Sequence, residues 1–598
     1  MIAPRILVAI KQVTQADFVE FDSTGRMIRH PKEQGLNPFC RRAIATGVAL
    51  ANQYEGTCSV VSMGPPSTIQ ILREALAVGA NDAYLLSDPD FAGADTLATA
   101  EILYRFIQTR SNPYDLVLTG RFAIDANTGL VGVQLAELLG LPYAGAAKEL
   151  AVRGNSLLMS TELDDGVRSV RVTLPTVIAV AERICAPAKA SADEIEAIPA
   201  ELIQRLGRDE LGFMEGAPAS RTRVDRITHS SSQRLNIVID GTTELARAFE
   251  FLGDRFPQAA RPPIDYSDQN VSLEHVAYLC DPDQPELNQQ LVAYLLATCA
   301  TNDTRLSVFI CGSDAQPASR DFPGANDLIY LEGSRLEDDL VPVIASWLQT
   351  HPQQLLAAPT TSFGREIGGR LGVILDAGVL TDLNRISISE PPTVAGWKSV
   401  GSVASTAQVS VKTTMGIVLL RPQGAIPVDV PTGTPPTGTP PTKIRLTIPE
   451  RRRVSLTDTP QTQNVFHFAN ASLVLAVGAG VANDELAHVY ELAATVEAEL
   501  GCTRKIADRG IMPRSRQIGI TGRSVSPQLY IGIATRGSHN HLSGVSEAAT
   551  LVNLTQVPPT SEPGVDLTIV GDWHQTLPQI VAYLKILMEE KTPTPPRV

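Results

Sequence analysis

The sequence predicts an α/β protein built on parallel sheets, and two kinds of segment carry that prediction. Short, continuously apolar runs at residues 5–11, 59–64, 115–120 and 176–181 have the length and composition of strands that are covered on both faces. Amphipathic segments of helical length, such as residues 66–78 and 96–109, lie between these runs. Strands that alternate with helices in this way form βαβ units, so we expect parallel sheets with helices on both faces.

Glycines cluster where the C-terminal strands should pass into loops. Three such segments lie between Gly501 and Thr555, and they read G-C-T-R-K-I-A-D-R-G, Q-I-G-I-T-G-R and L-Y-I-G-I-A-T-R-G-S-H-N-H-L-S-G. Glycine lets backbone amides approach a phosphate or a ring closely, and the polar residues between the glycines can hydrogen-bond a heterocycle. Because ligands of parallel sheets bind at the carboxyl ends of the strands, we expect a ligand site there.

Length and charge narrow the class of protein. The chain of 598 residues is long enough for three or four domains, and its hydrophobic content of 43% is that of a globular protein. A formal net charge of -14 argues against non-specific binding to nucleic acid or to an anionic membrane. No apolar run reaches membrane-spanning length and the N-terminus lacks the layout of a secretory signal. We therefore expect a cytoplasmic protein without stable membrane insertion.

The cysteines give no sign of a metal site. There are seven of them, scattered and never in C-x-x-C spacing, which supports neither a disulfide framework nor a zinc or iron–sulfur site. Most are expected to be small buried hydrophobic residues. We predict neither metal ligands nor a catalytic residue.

The glycine-rich C-terminal segments resemble the FAD-binding domain of the alpha subunit of electron-transfer flavoproteins. The motifs of that family read roughly G-A-S-R-x-x-V-D-A-G, Q-x-G-Q-T-G-K and L-Y-I-A-x-G-I-S-G-A-I-Q-H-L-x-G. The resemblance implies that Arg504 lies over the isoalloxazine ring, that Thr521 approaches N5 and that His541 lies near the pyrimidine carbonyl. Positive charge and donors at these places stabilise the reduced ring. The residues implied to bind FAD are Thr503, Arg504, Gly519, Ile520, Thr521, Gly522, Arg536, Gly537, Ser538, His539, Asn540, His541, Thr555 and Asp572.

Several of these positions depart from the family's motifs. Ile520 replaces the Gln of Q-T-G-K, which removes an amide donor. The phosphate loop G-G-R-G reads V-G-A-G-V here, and Arg536 is a candidate replacement for the missing Arg. Thr555 aligns with an Asn that contacts the adenosine part, although Asn553 is close, and Asp572 fits the family's late Asp only with a shift of one residue.

The N-terminal part resembles the beta subunit of the same family. The segments A-I-K-Q-V, L-N-P-F-C, V-S-M-G-P and G-R-F-A-I-D-A-N-T-G-L-V-G match its first strand and loop, its N-P-F-C loop, its V-S-C-G-P turn and its A-I-D…T-G segment. In that subunit these loops form a pocket for AMP, or for a second FAD in electron-bifurcating members. The resemblance implies a second nucleotide site at Ala9, Asn37, Pro38, Phe39, Cys40, Met63, Gly120, Asp125, Asn127 and Thr128.

The occupant of this second site stays open at this point. Phe122 and Leu130 stand where the family has glutamines, and both changes remove polar contacts. Arg365 bears on the same question, because bifurcating members often carry Arg there. AMP, a second FAD and an empty pocket are the three alternatives.

The region between these two resembles the first domain of the alpha subunit, notably at A-P-T-T-S-F-G-R-E-I-G-G-R-L-G. The chain thus resembles a beta subunit fused to an alpha subunit. The resemblance implies two doubly wound, adenine-nucleotide alpha-hydrolase-like domains and a C-terminal Rossmann-like FAD-binding domain. The expected divisions are a beta-like domain (1–256), a linker (257–272), alpha-like domain I (273–426), a Pro/Thr/Gly-rich extended spacer (427–442), FAD-binding domain II (443–592) and a tail (593–598).

The function implied is that of an electron carrier, which shuttles electrons through a bound FAD between a dehydrogenase and an acceptor such as a quinone reductase. One alternative is a bifurcating flavoprotein that oxidises NADH at a second FAD, and another is a nucleotide- or flavin-binding regulatory protein without redox partners. The partner-recognition loop at 185–200 is acidic where the family's is basic, and Ala192 replaces its Leu anchor. We therefore expect a partner other than the common acyl-CoA dehydrogenases.

Overall fold

The computed structural model describes residues 3–14, 20–21, 27–28, 34–164, 166–229, 234–256, 273–299, 304–312, 322–389, 393–399, 405–421, 440–458, 461–462, 468–469, 471–519, 522–542, 544–545, 549–559 and 564–591. The predicted linker, the predicted tail and nearly all of the predicted spacer lie outside these residues. Across the described ranges, none of the helices has both the length and the apolar content needed to cross a bilayer.

The described residues form strands and helices in three successive groups. The first group is β1 (Arg5–Ala9), β2 (Gln12–Thr14), β3 (Glu20–Phe21), β4 (Met27–Ile28), β5 (Gln34–Leu36), α1 (Pro38–Gln53), β6 (Thr57–Met63), α2 (Ile69–Ala77), β7 (Asp82–Leu86), α3 (Thr96–Gln108), β8 (Leu116–Gly120), α4 (Val131–Leu138), β9 (Tyr143–Arg153), β10 (Ser156–Glu162), β11 (Gly166–Thr173), β12 (Thr176–Val180), α5 (Ala192–Glu196) and β13 (Ile203–Leu206). The second is β14 (Thr222–His229), β15 (Ile237–Asp240), α6 (Leu245–Gly253), β16 (His275–Leu279), α7 (Pro285–Cys299), β17 (Arg305–Cys311), β18 (Asp327–Gly333), α8 (Glu337–Thr350), β19 (Leu355–Pro359), α9 (Ser362–Ile374), β20 (Gly378–Leu383), β21 (Arg385–Ser389), β22 (Thr393–Ser399), β23 (Ser405–Val411) and β24 (Gly416–Leu420). The third is β25 (Thr442–Ile448), β26 (Val454–Leu456), β27 (Gln461–Thr462), β28 (Leu473–Val477), α10 (Leu486–Thr495), β29 (Glu499–Cys502), α11 (Arg504–Asp508), β30 (Leu529–Ile533), α12 (His539–Leu542), β31 (Thr550–Thr555), β32 (Leu567–Val570) and α13 (Trp573–Lys591).

The first sheet is the largest, with eleven strands in the order β13-β7-β6-β1-β8-β12-β9-β10-β11-β26 and β27 added beside β11. Its part from β13 to β9 is parallel, and the strands beyond β9 are antiparallel. The apolar runs that the sequence marks as buried strands form β1, β6, β8 and β12, so those predictions are confirmed. All five residues of β12 are buried, as expected for a strand that is covered on both faces.

The second sheet repeats the strand order of the first. Its seven parallel strands run β25-β18-β17-β16-β19-β24-β20, which is the order β13-β7-β6-β1-β8-β12-β9 with each strand replaced by its later counterpart. In both sheets the chain adds strands on one side of the first strand and then returns to its other side. The structure is therefore mixed α/β with several parallel sheets, as the alternation of segments predicts. The strands β14, β23, β22 and β21 form a separate antiparallel sheet.

The third sheet is parallel and has the order β15-β32-β31-β30-β28-β29. Its edge strand β15 comes from the region that the sequence analysis places in the beta-like domain. The helix α6 that follows packs on the same sheet, where the rings of Phe249 and Tyr583 stack at 4.7 Å. Pairing also crosses the predicted boundary at residue 443, since β25 joins the second sheet and β26 the first.

The first and second sheets are joined through α4 and α9. A Cβ atom added at Gly369 of α9 would lie 2.5 Å from Cγ1 of Val133 on α4, so only glycine allows this approach. Beside it, Arg370 is almost fully buried and donates to Glu137 of α4 at 2.8 Å. The two helices are thus held by close packing and by a partly buried ion pair.

Replacing Gly369 by Val should push α4 and α9 apart. Overpacking of this kind costs about 2 kcal/mol of unfolding free energy. Urea denaturation followed by circular dichroism measures the change. Gly145→Ala is the control, because a Cβ there comes no closer than 3.4 Å to its neighbours. An unchanged midpoint for Gly369→Val would mean that this interface does not limit stability.

Candidate functional site

Several of the described residues predicted to bind FAD lie along the carboxyl edge of the third sheet. Thr503 and Arg504 follow β29, residues 534–538 follow β30, Thr555 ends β31 and Asp572 follows β32. All these strands are parallel and point the same way, so their ends meet at one edge. The structure thereby brings together segments that lie far apart in the sequence.

Glycines let the loops at this edge touch each other. A Cβ at Gly478, directly after β28, would lie 2.2 Å from the carbonyl oxygen of Ala534. A Cβ at Gly544 would lie 2.3 Å from the backbone nitrogen of Gly519, and Gly519 itself has a φ of 135°. These contacts leave no room for side chains, so the backbone itself is presented at the edge.

Thr503 contributes a polar group that lacks a protein partner. Its Oγ1 is buried and makes no hydrogen bond within the described part of the chain, and it does not cap α11. The backbone N–H of Thr503, by contrast, donates to Val477 at 2.9 Å. Buried polar groups are normally hydrogen-bonded, so an unpartnered hydroxyl beside close-packed glycine loops indicates a ligand contact. The residues present fit a polar cofactor with a phosphate, as predicted for FAD.

Arg504 faces the first sheet. Its guanidinium carbon lies 5.4 Å from the centre of the Phe39 ring, and Nε donates to Asp508 at 3.3 Å. Phe39 was predicted for the second nucleotide site, so the structure places residues of the two predicted sites in contact. The cation at the FAD edge lies over an aromatic ring of the N-P-F-C loop.

His541 is buried, and both of its ring nitrogens have protein partners. Nδ1 lies 3.0 Å from the carbonyl oxygen of Ile518, and Nε2 lies 2.5 Å from the hydroxyl of Tyr530. Burial lowers the pKa of His541 to about 4, so the ring is neutral at pH 7. In this arrangement the ring positions the loop after β30, and its predicted contact with the flavin stays a prediction.

The other predicted residues differ in how much the structure says of them. Ile520 and Thr521 lie outside the described residues, and the side chains of His539 and Asn540 are likewise not described. The remaining members of the loop after β30 do lie at the edge: Arg536 and Ser538 are exposed, and Gly537 has a φ of 62°. Gly522 is packed so closely that a Cβ would lie 2.4 Å from the carbonyl oxygen of Gln517.

At the far end of the edge, Asn553 and Thr555 have different surroundings. Asn553 is buried and accepts a hydrogen bond from Thr535, whereas Thr555 is partly exposed and donates to Val557. Of the two, Thr555 is therefore the residue with access to a ligand. The Oδ1 atom of Asp572 lies 2.7 Å from Nδ1 of His574, and this side-chain hydrogen bond raises the pKa of the imidazole and lowers the pKa of the carboxyl.

Charged contacts between the third sheet and the other two were not predicted from the sequence. Arg514 lies 2.8 Å from Glu182. Arg183 donates to the carbonyl of Ala507 at 2.8 Å, and Arg421 donates to Ser524 at 2.6 Å. Burial raises the pKa of Glu182, but the guanidiniums of Arg514, Arg121 and Arg504 together outweigh this effect and bring the pKa to about 2. No local motif marks such pairs, because the partners are distant in sequence.

The residues predicted for the second nucleotide lie at the corresponding edge of the first sheet. Ala9, Met63 and Gly120 end β1, β6 and β8. The N-P-F-C loop begins α1, where Pro38 is the first residue and Phe39 and Cys40 are buried. Burial also raises the pKa of the Cys40 thiol.

Protein groups bond to the residues and loops predicted for the second nucleotide. Asn37 donates to the carbonyl of Phe122 at 2.8 Å, and Asp125 pairs with Lys11 at 2.8 Å. Residues of the second sheet's region tie down the same loop. Lys398 donates to the carbonyl of Ala126 at 2.9 Å and Arg365 to that of Thr128 at 3.2 Å, next to Asn127, which has a φ of 51°.

Phe122 occupies the centre of this arrangement. It is buried, meets Phe39 edge-on at 6.0 Å, and lies between the guanidiniums of Arg121 and Arg365 at 5.0 and 5.2 Å. The family's Gln at this place would offer an amide to a ligand. The aromatic ring here offers a packing surface instead, and it takes up space between the loops.

Comparison with known proteins places this geometry in a family. Residues 24–202 match the family described as electron transfer flavoprotein domain, and residues 467–546 match that of the electron transfer flavoprotein FAD-binding domain. The electron transfer flavoprotein subunit beta of Thermoanaerobacterium thermosaccharolyticum is 33% identical over 251 residues, which cover 40% of this chain and 94% of the relative. The chain belongs to the electron transfer flavoprotein family.

Two further relatives of the family are similar over the same extent. The caffeyl-CoA reductase-Etf complex subunit CarD of Acetobacterium woodii is 34% identical, and the match covers 40% of this chain and 93% of that subunit. Protein FixA of Azorhizobium caulinodans is 33% identical, with 42% of this chain and 93% of the relative covered. Members of the family transfer electrons together with redox partners. The order of the two family matches is that of a beta subunit followed by the FAD-binding domain of an alpha subunit, which assigns FAD as a cofactor of this chain.

The buried His541 predicts a pH-dependent stability. Its folded pKa of about 4 lies below the ordinary value, so the unfolded chain binds the proton first and acidification favours unfolding. The contribution is fully present above about pH 6.5 and is lost as the pH falls towards 4. It amounts to about 2 kcal/mol between pH 7.5 and 5. His541→Gln should remove this part of the slope, as measured by urea denaturation at each pH.

His574→Gln is the control for this experiment. The carboxyls of Asp572 and Glu485 raise the pKa of His574, so its contribution has the opposite sign and is lost as the pH rises. Equal slopes for the wild type and His541→Gln would contradict the buried neutral state of His541.

Proposed function

We propose that this chain is an electron carrier that works with one FAD, bound at the carboxyl edge of the third sheet. The observation that carries the proposal is the buried hydroxyl of Thr503, which has no hydrogen-bond partner among the described residues and lies beside the glycine loops of that edge. Thr503 and Arg504 would hold the ring end, and the amides around Gly478 and residues 536–538 the diphosphate. When bound, FAD supplies the redox chemistry by taking up electrons from one partner and passing them to another.

Arg504 and Phe39 support a single place for the flavin ring. Since the guanidinium of Arg504 already reaches the N-P-F-C loop, a ring at this edge would lie between the third sheet and the first. Arg504 would then supply positive charge near the ring, which favours its reduced form. His541, which is neutral, would contribute by holding the loop after β30 against Ile518 and Tyr530.

The repeated strand order supports the finer description of the fold. We infer that the first and second sheets belong to two doubly wound domains and that the third belongs to a Rossmann-like FAD-binding domain. The proposed divisions remain 1–256, 273–426 and 443–592. Two elements of the first division, β15 and α6, pack on the third sheet, and β25 of the last division pairs with the second sheet. The domains therefore exchange elements at their boundaries.

The contacts around Phe122 favour the simple carrier over the bifurcating alternative. Lys398 and Arg365 already use the loop carbonyls of residues 126 and 128, and Asp125 is paired with Lys11. A second FAD would have to displace these contacts and the Phe122 ring. Burial lowers the pKa of Lys398 to about 8, and Asp382 opposes that shift. The Lys398 side chain is therefore largely protonated at neutral pH.

We propose a redox partner with a positively charged surface, which would contact the acidic segment 191–196 around α5. Asp193, Glu194 and Glu196 are exposed there. A capping box, in which the Ser191 and Glu194 side chains bond each other's backbone, holds the segment in shape. Charge complementarity at such a rim mainly sets the rate of encounter and the choice of partner.

The decisive experiment is to denature the purified protein and to quantify the FAD and AMP released per chain. We expect about one FAD, with AMP absent or substoichiometric, because the second pocket is filled by protein groups. About two FADs would support bifurcation and make an NADH titration the next step. No flavin would contradict the proposal as a whole, including the assignment of the third sheet's edge.

Replacing Arg504 by Met should lower the reduction potential of the bound flavin. The loss of one positive charge near the ring changes the potential by on the order of tens of millivolts. Dye-coupled potentiometry of the FAD-loaded protein measures it. Arg509→Met, at the exposed end of α11, is the matched control and should leave the potential unchanged. Equal potentials for Arg504→Met and the wild type would place Arg504 away from the ring.

A further inference from the structure

The second sheet contains a position at which α/β proteins commonly bind ligands. From β16 the chain adds β17 and β18 on one side, and then α8 carries it back to β19 on the other side. The strand order therefore reverses between β16 and β19. Ligands of such sheets bind outside the carboxyl ends of the strands at the point of reversal.

A cleft of about 700 Å³ opens at this position. It is bordered by Asp281 after β16, Gly333 at the end of β18, Ser362 after β19 and Glu450 after β25, and Arg168 of the first sheet closes one side. This volume lies in the range of small-molecule sites. The cleft lies at the second sheet, whereas the predicted FAD residues lie at the third, and the carbonyl of the lining residue Asp164 accepts a hydrogen bond from Arg523 of the Q-I-G-I-T-G-R segment.

The inner part of the cleft offers both an acceptor and a donor. Asp281 is buried, and its oxygens accept one bond each, from Thr361 at 2.6 Å and from the backbone of Asp283 at 3.0 Å. A carboxylate oxygen has capacity for a further bond. Burial raises the pKa of Asp281 to about 7. Arg168 donates through Nη1 to Glu337, while its Nε is buried and has no acceptor within the described residues.

Two guanidiniums lie at the rim of the cleft, among several carboxyls. Arg335 and Arg452 line the cleft and are exposed. Of the other carboxyls that line the cleft, Glu337 accepts from Arg168, Asp339 from the backbone of Arg451 and Asp164 from the backbone of Ser362. Glu450 is paired with Arg452 at 3.5 Å, and Asp283 is exposed. An acceptor and a donor inside, with guanidiniums at the mouth, match a heterocyclic base that bears a phosphate.

The corresponding position in the first sheet has different surroundings. There the reversal lies between β1 and β8, and the loop after β8 is tied down by Lys11, Arg365 and Lys398. The corresponding loop after β19 begins α9 directly, with Thr361 as its N-cap, and leaves the cleft beside it.

We propose that the cleft at β16 and β19 binds a nucleoside monophosphate, with the base at Asp281 and Arg168 and the phosphate at Arg335 and Arg452. This site is additional to FAD and does not depend on the proposed redox function. The residues predicted to bind nucleotides at the first and third sheets come from other parts of the sequence. The positions of labelled peptides therefore distinguish the cleft from these two sites.

Photolabelling with 8-azido-AMP tests the proposal on the full-length, FAD-loaded chain. We expect label in peptides from residues 273–299 or 327–350, and competition by an excess of unlabelled AMP. Asp281→Asn should reduce this labelling at least fivefold. Arg335→Gln, which removes an exposed guanidinium proposed to hold the phosphate, should reduce it at least twofold and serves if Asp281→Asn fails to fold.

Glu491→Gln is the matched control, since it neutralises an acid on the exposed side of α10, with a side chain that is 82% exposed. It should label like the wild type. The flavin content, measured in parallel, reports the integrity of the third sheet and separates failure of the FAD proposal from failure of this one. Label confined to residues 34–64 and 116–131, label that AMP does not displace, or no label at all would overturn the proposal.

Discussion

The close packing of α4 on α9 is the constraint on which the arrangement of the two repeated sheets depends. Gly369 admits Val133 at a distance that no other residue would allow, and the nearly fully buried Arg370 bonds Glu137 of α4. Each helix follows the strand next to the reversal of its sheet. Once they are packed, Arg365 on α9 necessarily lies against the loop after β8 and bonds Thr128. One helix pair thus closes the pocket of the first sheet and fixes the cleft of the second.

A chain of hydrogen bonds leads from α9 towards the carboxyl edge of the third sheet, where we propose that FAD binds. Arg365 donates to Asp382 at 2.7 Å, Arg421 donates to the same carboxylate oxygen at 2.8 Å, and Arg421 also donates to Ser524 at 2.6 Å. Burial raises the pKa of Asp382, but the two guanidiniums outweigh it and the carboxylate stays ionised. Two arginines that share one buried carboxylate place the third sheet relative to the second.

The sequence patterns predicted those strands and helices that depend on residues close together in the chain. The strands β1, β6, β8 and β12 and the helices α2 and α3 follow from runs of apolar or amphipathic residues, and they were found where expected. Of the residues that the resemblance implies for FAD, Thr503, Arg504 and Asp572 follow strands of the third sheet, while their contact with FAD stays a prediction. The contact of Arg504 with Phe39 did not follow, since it joins two sheets that no periodicity connects. The partners of His541 were missed for the same reason, as Tyr530 is an ordinary strand residue in the sequence.

The placement of β15 shows why the boundaries are the hardest part to predict. Ile239 is buried in the third sheet's core while its neighbour Val238 is 45% exposed, so the segment has the pattern of an edge strand with no indication of which sheet it joins. Pairing with β32 satisfies backbone groups that would otherwise form an open edge. The third sheet is therefore completed by residues that precede the second sheet in the chain. Because of this exchange, the domains that the sequence suggests are stabilised in part by each other's strands and helices.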